Sequence, residues 1–182
     1  SFTDFELLLI NDGSTDESGQ IIQGYHDKRV VYVKNEENKG LIYTLNKAID
    51  LAKGEFIARM DADDVALPQR LEKQLAFMQH STASIVASRV KLIDPEGDCL
   101  PDWKEDANHI TPAQIKKFLF RDNCIAHATV FGKSGLFKKY KYRYNQKYSE
   151  DYALWLRLLA DGFTIEKTPG PFLVHRELPN SA

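Results

Sequence analysis

The feature that most constrains the fold is an alternation of short apolar runs and amphipathic helical segments in the first half of the chain. Phe5 to Ile10 and Val30 to Lys34 have strand length and are nearly continuously apolar, which is typical of buried strands in a parallel sheet. Leu41 to Ala52 has helical apolar spacing and is followed by Gly54, and Glu55 to Met60 is a third strand. Two strand–helix–strand units in series predict an α/β fold with a mostly parallel central sheet and flanking helices.

A cluster of carboxylates, Asp61, Asp63 and Asp64, follows the third strand. On an extended backbone Asp61 and Asp63 project from one face, about 7 Å apart. Such carboxylates repel one another unless water, basic side chains or a cation offset them, and hard divalent cations take oxygen ligands of this kind. A helix–loop–helix calcium site needs glycine at the sixth position, where Ala66 stands. A solvated acidic turn that caps the next helix remains the alternative.

Polar residues also follow the first strand, at the edge where α/β folds place ligands. Asn11-Asp12-Gly13 turns the chain, and Ser14 to Glu17 predicts a capping box at the start of a helix. Asp12 therefore lies where a nucleotide would sit, with a simple polar turn as the alternative.

The α/β alternation weakens after residue 95. The pattern predicts a turn at 94–97, an irregular segment at 101–109, helices that begin at Pro68, at Thr111-Pro112 and before Tyr152, and strands over 84–93, 127–132, 163–167 and 172–175. Glu150 and Asp151 stand at the start of the last helix, where carboxylates are favourable as caps. The tyrosine-rich basic stretch Lys138 to Tyr148 could contact a sugar by stacking or could be a surface loop.

Bulk properties limit the classes of function. The 182 residues suffice for one domain with a core, and the net charge of −2 argues against a nucleic-acid partner. Cys99 and Cys124 form no metal-ligand pattern and require no disulfide, which favours a reducing compartment. No apolar run has the length of a transmembrane segment. Because the sequence starts at Ser1 without methionine, we expect an excised fragment.

Several spaced motifs together point to one family. They are Asn11-Asp12-Gly13-Ser14-Thr15-Asp16, Asn38-Lys39-Gly40 with Asn46, Lys53-Gly54-Glu55, Arg59-Met60-Asp61-Ala62-Asp63-Asp64, Pro68-x-Arg70-Leu71 and Glu150-Asp151-Tyr152-x-Leu154-Trp155-x-Arg157. This combination closely resembles the family 2 glycosyltransferases, which are inverting sugar-nucleotide transferases with the GT-A fold. The resemblance extends over nearly the whole chain.

The resemblance implies roles for individual residues. Asp12 matches the acidic residue that binds the base or ribose of the nucleotide. Asp61 and Asp63 match the D-x-D element, in which the first aspartate lies near the ribose and the second coordinates a divalent metal, Mn²⁺ or Mg²⁺. Asp151 matches the general base and should lie across a cleft from Asp63. His175 resembles a histidine that approaches the metal or diphosphate in some GT-A enzymes, with a purely structural role as the alternative.

The resemblance also implies an activity. It is hexosyl transfer from a nucleoside-diphosphate sugar, with UDP as the expected nucleotide, to a saccharide, a lipid-linked acceptor or another hydroxyl, in bacterial surface-polysaccharide synthesis. Residues 1–182 would form a single domain, with the nucleotide in 1–95 and the acceptor and base in 96–182. The expected location is the cytoplasm, or peripherally the inner face of the membrane.

The sequence departs from the family pattern in two places, and two other functions remain open. The strand and helix that precede the Phe5 to Ile10 strand in the family are absent, so we expect unpaired strand edges. Asn11 replaces the usual first aspartate of its turn. A non-catalytic sugar-nucleotide-binding module would not need Asp151. A sugar nucleotidyltransferase would form nucleotide sugars and release pyrophosphate.

Overall fold

Strands and helices alternate along most of the computed structural model, which describes residues 2–178. The strands are β1 (Leu7–Asn11), β2 (Val30–Lys34), β3 (Phe56–Ala58), β4 (Val65–Ala66), β5 (Ile85–Ile93), β6 (Phe131–Lys133) and β7 (Ile165–Arg176). The α-helices are α1 (Ser18–Gln23), α2 (Leu41–Leu51), α3 (Arg70–His80), α4 (Lys104–Asn108), α5 (Pro112–Leu119), α6 (Ser134–Tyr140) and α7 (Glu150–Ala160). A 3₁₀-helix covers His127–Thr129.

The strands form two sheets, of which one is parallel and the other is mixed. β1 and β2 pair in parallel, and the second sheet has the order β3-β6-β5-β7-β4. Within that sheet β5 and β7 are parallel, whereas β6 and β4 run antiparallel to their neighbours. The predicted α/β class is confirmed, and the sheet is mixed rather than mostly parallel because two short strands, β4 and β6, run against their neighbours.

The break between the two sheets lies between β1 and β3. In the described part of the chain β1 pairs only with β2, and β3 pairs only with β6. Each of these two strands therefore has an unpaired edge in the described part of the chain. Glu6 spans the break, because its Oε1 accepts hydrogen bonds from the backbone N–H groups of Lys53 (2.6 Å) and Gly54 (3.3 Å).

The core lies on both faces of the five-stranded sheet. Ile85 and Ala87 of β5 face a large cluster formed by α2, α5, α6 and α7, in which Trp155 and Leu158 are almost completely buried. Val86 faces the opposite way and packs with Met78 of α3 and Phe131 of β6. This double burial explains why the β5 sequence is continuously apolar at its start.

Most predicted elements are present, and the differences have local causes. α5 begins as expected, with a Thr111–Gln114 capping box and Pro112 in the first turn. The capping box predicted at Ser14 is wrong, because Asn11 Oδ1 accepts the Ser14 N–H (2.7 Å) and the helix starts only at Ser18.

Three further predictions of secondary structure are wrong. The segment predicted as irregular at 101–109 contains α4, and the strand predicted over 127–132 is a 3₁₀-helix followed by β6. The last two predicted strands are one strand, β7, which stays paired with β5 across register shifts around Arg89. Pro169 and Gly170 locally favour a break in the strand, but pairing with β5 keeps β7 continuous.

A buried arginine on α3 fixes the end of β3 against the 3₁₀-helix. Arg70 is 3% exposed, and its Nη2 donates to the carbonyls of Arg59 (2.6 Å) and Ala128 (2.7 Å). One turn later, Gln74 accepts from Arg70 Nε (3.0 Å) and donates to the Thr129 carbonyl (2.7 Å). Burial lowers the pKa of Arg70 to about 10, so it remains charged at neutral pH. The clamp positions the segment that leads from β3 into the acidic cluster.

We predict that Arg70→Leu lowers the free energy of unfolding by about 3 kcal/mol, because two buried carbonyls lose their donor. Urea denaturation measures this change. Arg121→Leu removes an exposed arginine and serves as the control, with an expected change within about 0.5 kcal/mol. An equal loss of unfolding free energy in the two variants would show that the hydrogen bonds of Arg70 do not stabilise the fold.

Candidate active site

The acidic cluster is held by a partly buried arginine from the same chain segment. Both terminal nitrogens of Arg59 donate to the two carboxylate oxygens of Asp61 in a bidentate pair. Burial raises the pKa of Asp61 above its ordinary value; Arg59 opposes this rise, and the charges of Asp64 and Asp63 add to it. Arg59 is therefore the basic side chain that offsets the repulsion within the cluster.

The two-residue strand β4 brings the cluster next to β7. Val65 pairs with Val174, so Asp64 lies beside the end of β7, where its Oδ1 contacts His175 Nδ1 (2.8 Å) and accepts the Arg176 N–H (3.1 Å). The hydrogen bond to Asp64 raises the pKa of His175 above its ordinary value. The structure thus joins His175 to the acidic cluster through Asp64 rather than through Asp63.

The cluster offers oxygen and nitrogen donors for a divalent cation. Within residues 2–178 no group of three His, Cys, Asp or Glu side chains is close enough to hold a metal by itself. Asp63 is exposed, and Asp64 Oδ2 is buried without a hydrogen-bond partner. These donors, with His175 beside them, fit a Mg²⁺ or Mn²⁺ that takes its remaining ligands from water and phosphate oxygens.

Asp151 stands in the first turn of α7 and is largely enclosed. Its Oδ1 accepts the Tyr152 N–H (2.7 Å), and its Oδ2 accepts from Asn123 Nδ2 (3.2 Å). Burial raises the pKa of Asp151 above its ordinary value; the Tyr152 and Asn123 hydrogen bonds oppose the rise, and Glu150 adds to it. A helix N-terminus stabilises a carboxylate and lowers its pKa. At the start of α7 the opposite effect of burial on the pKa of Asp151 is larger.

Arg59 and Tyr142 interact electrostatically with both acidic regions, the cluster after β3 and the Glu150-Asp151 pair at the start of α7. The positive charge of Arg59 acts on Asp61 and also on Asp151, whose pKa it lowers. Tyr142 is buried, and burial raises its pKa, with further rises from Asp151, Glu150 and Asp61. Charges from the end of β3 and from the start of α7 therefore act on the same two side chains.

A neutral histidine lies against this junction. His127 Nε2 is 2.7 Å from the Tyr142 hydroxyl, and its ring meets the Trp155 ring edge-on at a centroid distance of 5.9 Å. Burial lowers the pKa of His127 well below its ordinary value, and the charge of Arg59 lowers it further. His127 therefore stays uncharged at neutral pH.

Asp12 lies in the two-stranded sheet, at the carboxyl ends of β1 and β2. Its oxygens accept from Asn35 Nδ2 (2.7 Å) and from the backbone N–H groups of Lys39 (2.9 Å) and Gly40 (2.8 Å). Burial raises the pKa of Asp12, but these hydrogen bonds outweigh it and leave the pKa below its ordinary value. No hydrogen bond or ion pair joins Asp12 to the acidic cluster among the described residues.

Sequence reasoning missed four residues of the site: Arg59, Asn123, His127 and Tyr142. Arg59 stands within the acidic motif, and a lone cation two residues before a cluster of carboxylates is a local signal for the ion pair. The other three come from separate segments, and no local signal identifies them. As an arrangement, the site combines exposed cation-binding oxygens with an enclosed carboxylate of raised pKa, which suits the binding of an anionic ligand and the removal of a proton beside it.

Comparison with known proteins identifies the family of this α/β fold. Residues 1–146 match the family model described as Glycosyl transferase family 2. The chain is 34% identical over 181 residues to the uncharacterized glycosyltransferase MJ1057 of Methanocaldococcus jannaschii, and 37% identical over 164 residues to the O-antigen biosynthesis glycosyltransferase WbnJ of Escherichia coli. The chain therefore belongs to glycosyl transferase family 2.

The alignments cover most of this chain and a smaller part of each relative. They include 97% of the chain and 61% of MJ1057, and 88% of the chain and 63% of WbnJ. Among solved structures, residues 1–349 of TarS from S. aureus in complex with UDP-GlcNAc superpose with a TM-score of 0.77 at 19% identity, covering 98% of this chain and 51% of that one. This likeness shows that the GT-A fold is shared. Within residues 2–178, no helix has the length and apolar character needed to cross a bilayer.

We predict that Asn123→Ala raises the pKa of Asp151 further, because the variant removes a donor that stabilises the charged carboxylate. Side-chain carboxyl ¹³C NMR follows the titration, and the midpoint should move to higher pH. Asn145→Ala removes an exposed amide elsewhere and should leave the midpoint in place. An unchanged midpoint in Asn123→Ala would show that the hydrogen bond does not act on the base candidate.

Proposed function

We propose that this chain carries the donor-binding and catalytic residues of an inverting glycosyltransferase. It moves a hexosyl group from a nucleoside-diphosphate sugar to a hydroxyl of a saccharide or lipid-linked acceptor. Residues 1–95 form the nucleotide-binding half and residues 96–182 the acceptor half. The observation that carries the proposal is the bidentate pair of Arg59 with Asp61 at the acidic cluster, together with the charge of Arg59 that also acts on the enclosed Asp151.

The leaving diphosphate gains negative charge as the bond to the sugar breaks. Asp63, with His175 and Asp64 beside it, would hold the Mn²⁺ or Mg²⁺, which would supply Lewis-acid stabilisation of that charge. Asp61 is oriented by Arg59 and accepts hydrogen bonds from the ribose. Asp12 holds the loop at Lys39 and Gly40, which forms the base and ribose side of the nucleotide site.

The acceptor hydroxyl is a weak nucleophile and needs a base. Asp151 removes its proton as the hydroxyl attacks the anomeric carbon from the face opposite the diphosphate, which inverts that centre. Such general base catalysis contributes about 10²–10⁴-fold. The raised pKa of Asp151 improves its basicity, and Asn123 and the Tyr152 N–H fix the direction of its carboxylate.

The family and its members support the proposed substrate class. UDP is the expected nucleotide, and TarS was solved with UDP-GlcNAc. O-antigen biosynthesis is the process named for WbnJ, which supports a surface-polysaccharide role for this chain. Such a reaction uses cytoplasmic nucleotide sugars, and a lipid-linked acceptor would bring the protein to the inner face of the membrane. A thermal-shift screen of nucleotide sugars with Mn²⁺ present identifies the donor.

We predict that Asp151→Asn abolishes transfer in the full-length protein and leaves nucleotide binding nearly intact. The amide cannot accept the proton, so kcat should fall at least about 10²-fold. Release of nucleoside diphosphate measures turnover, and the exposed Asp98→Asn is the matched control. Transfer that survives in Asp151→Asn would remove the base assignment, and release of pyrophosphate by the wild-type protein would indicate a nucleotidyltransferase.

We predict that Asp63→Ala weakens metal-dependent nucleotide binding. Isothermal titration of UDP with and without Mn²⁺ should show a large metal effect in the wild-type protein and in Asp98→Ala, and little or none in Asp63→Ala. The loss of one charged ligand is worth at least about 10-fold in affinity. A metal effect that is the same in all three proteins would exclude Asp63 as a metal ligand.

A further inference from the structure

Positive charge is concentrated in one stretch whose lysine and arginine side chains take no part in the proposed reaction. Residues 133–148, the basic segment, contain six of the 24 Lys and Arg residues of the chain and none of its 26 Asp and Glu residues. The six are Lys133, Lys138, Lys139, Lys141, Arg143 and Lys147. Because the whole chain has a net charge of −2, the rest of the protein is acidic and this segment stands out from it.

Two of these cations stabilise the fold, and three others point to solvent. Lys138 donates to the Ala52 carbonyl (2.8 Å), and Lys141 pairs with Asp50 (2.6 Å). Lys139, Arg143 and Lys147 are exposed, and their side chains form no hydrogen bond or salt bridge with a residue in the described part of the chain. Their charges therefore remain available to a partner.

Exposed tyrosines alternate with the free cations. Tyr144 is 66% exposed and Tyr148 is 79% exposed. The Lys147 ammonium lies 4.9 Å from the centre of the Tyr148 ring, and the Lys139 ammonium lies 5.2 Å from that of Tyr140. Tyrosine favours the boundary between lipid headgroups and acyl chains, where its ring is buried and its hydroxyl stays hydrated, and lysine stems extend to the same level.

Backbone hydrogen bonds hold residues 143–148, the tip of the basic segment, in place. The N–H of Tyr142 donates to Asn46 Oδ1 and its carbonyl accepts from Asn46 Nδ2, both at 2.9 Å. Beyond that anchor the Gln146 N–H donates to the Arg143 carbonyl (3.0 Å) and the Ser149 N–H donates to the Gln146 carbonyl (3.1 Å), which closes two successive turns. Residues 143–148 are thus a compact projection from a fixed base.

The basic segment ends next to the candidate base. Ser149 directly precedes α7, whose first two residues are Glu150 and Asp151. A surface that touched the tip would lie near the start of α7. Two acidic side chains face the segment. Asp50 pairs with Lys141, whereas Asp161 accepts the Tyr140 hydroxyl and lies in a cavity with Lys139 and Arg143. The single negative charge of Asp161 leaves a net positive charge on the three free cations.

We propose that the basic segment docks the protein on an anionic membrane surface through Lys139, Arg143 and Lys147, with Tyr144 and Tyr148 entering the headgroup region. Docking in this way presents the start of α7 to acceptors carried in the same membrane. The benefit to catalysis rests on the proposed glycosyl transfer, whereas the binding to lipid does not. Each Lys or Arg near an anionic leaflet strengthens partitioning by about five-fold, so three give about 100-fold.

Vesicle sedimentation with the full-length protein tests the proposal without any donor or acceptor. The vesicles contain phosphatidylcholine alone or with about 30 mol% phosphatidylglycerol, to vary only the negative surface charge. The test variant is Lys139→Gln, Arg143→Gln and Lys147→Gln together. The control, Lys73→Gln, Lys91→Gln and Lys116→Gln, removes the same charge from exposed lysines on other elements. Thermal melts establish that both variants are folded.

The expected result is binding of the wild-type and control proteins to anionic vesicles only, a loss of about 100-fold in the test variant, and release of the wild-type protein at about 0.5 M salt. Tyr144→Ser with Tyr148→Ser should weaken binding to the same vesicles at low salt. Equal loss in the two triple variants, equal binding to neutral and anionic vesicles, or no binding by the wild-type protein would overturn the proposal. A failure of glycosyl transfer would leave these vesicle results unchanged, so the two proposals fail separately.

Discussion

The bidentate pair between Arg59 and Asp61 is the interaction on which the site depends. Two carboxylates about 7 Å apart repel each other by roughly 2 kcal/mol at an effective dielectric constant of about 20, and a third at the same strand end adds to this. Arg59 supplies the opposite charge at the shortest range, and Arg70 in turn holds the Arg59 carbonyl. The same guanidinium acts on Asp151 and His127. One cation therefore acts on residues after β3, in α7 and in the 3₁₀-helix, and burial is the larger cause of each of their pKa shifts.

The arrangement of the five-stranded sheet depends on the helices that cover both faces of β5 and β7. Helices pack on both faces of these central strands, so their sequences are apolar over long runs and their pairing is tightly specified. β7 then continues for 12 residues and carries His175 to the acidic cluster at its far end. A buried ion pair between Lys167 and Asp106 (2.8 Å) fixes the other half of the strand against α4. The strand thus connects the core to the candidate site.

Much of the fold was predictable because its signals are local. The apolar runs of β2 and β5, the capping box of α5 and the glycine after α7 each depend on a few adjacent residues. The pairing of β4 with β7 was not predictable, because two residues carry no periodicity and their partner lies more than 100 positions away. The same holds for Asn123 beside Asp151 and for Tyr142 beside His127, whose contacts are created only by tertiary packing. The carboxylates themselves were predictable from motif spacing, whereas the partners that set their pKa values were not.

Asp12 shows how an acidic residue can hold a glycine-containing turn in place through its backbone amides. Both of its oxygens are occupied by Asn35 and by the amides of Lys39 and Gly40, and Gly40 has a φ of 86°, which other residues rarely adopt. A substitution at position 12 would free those amides and let the glycine-containing turn relax. Loss of affinity in such a variant would therefore include the effect of the relaxed turn, and a double substitution of residues 12 and 35 should cost little more than either alone.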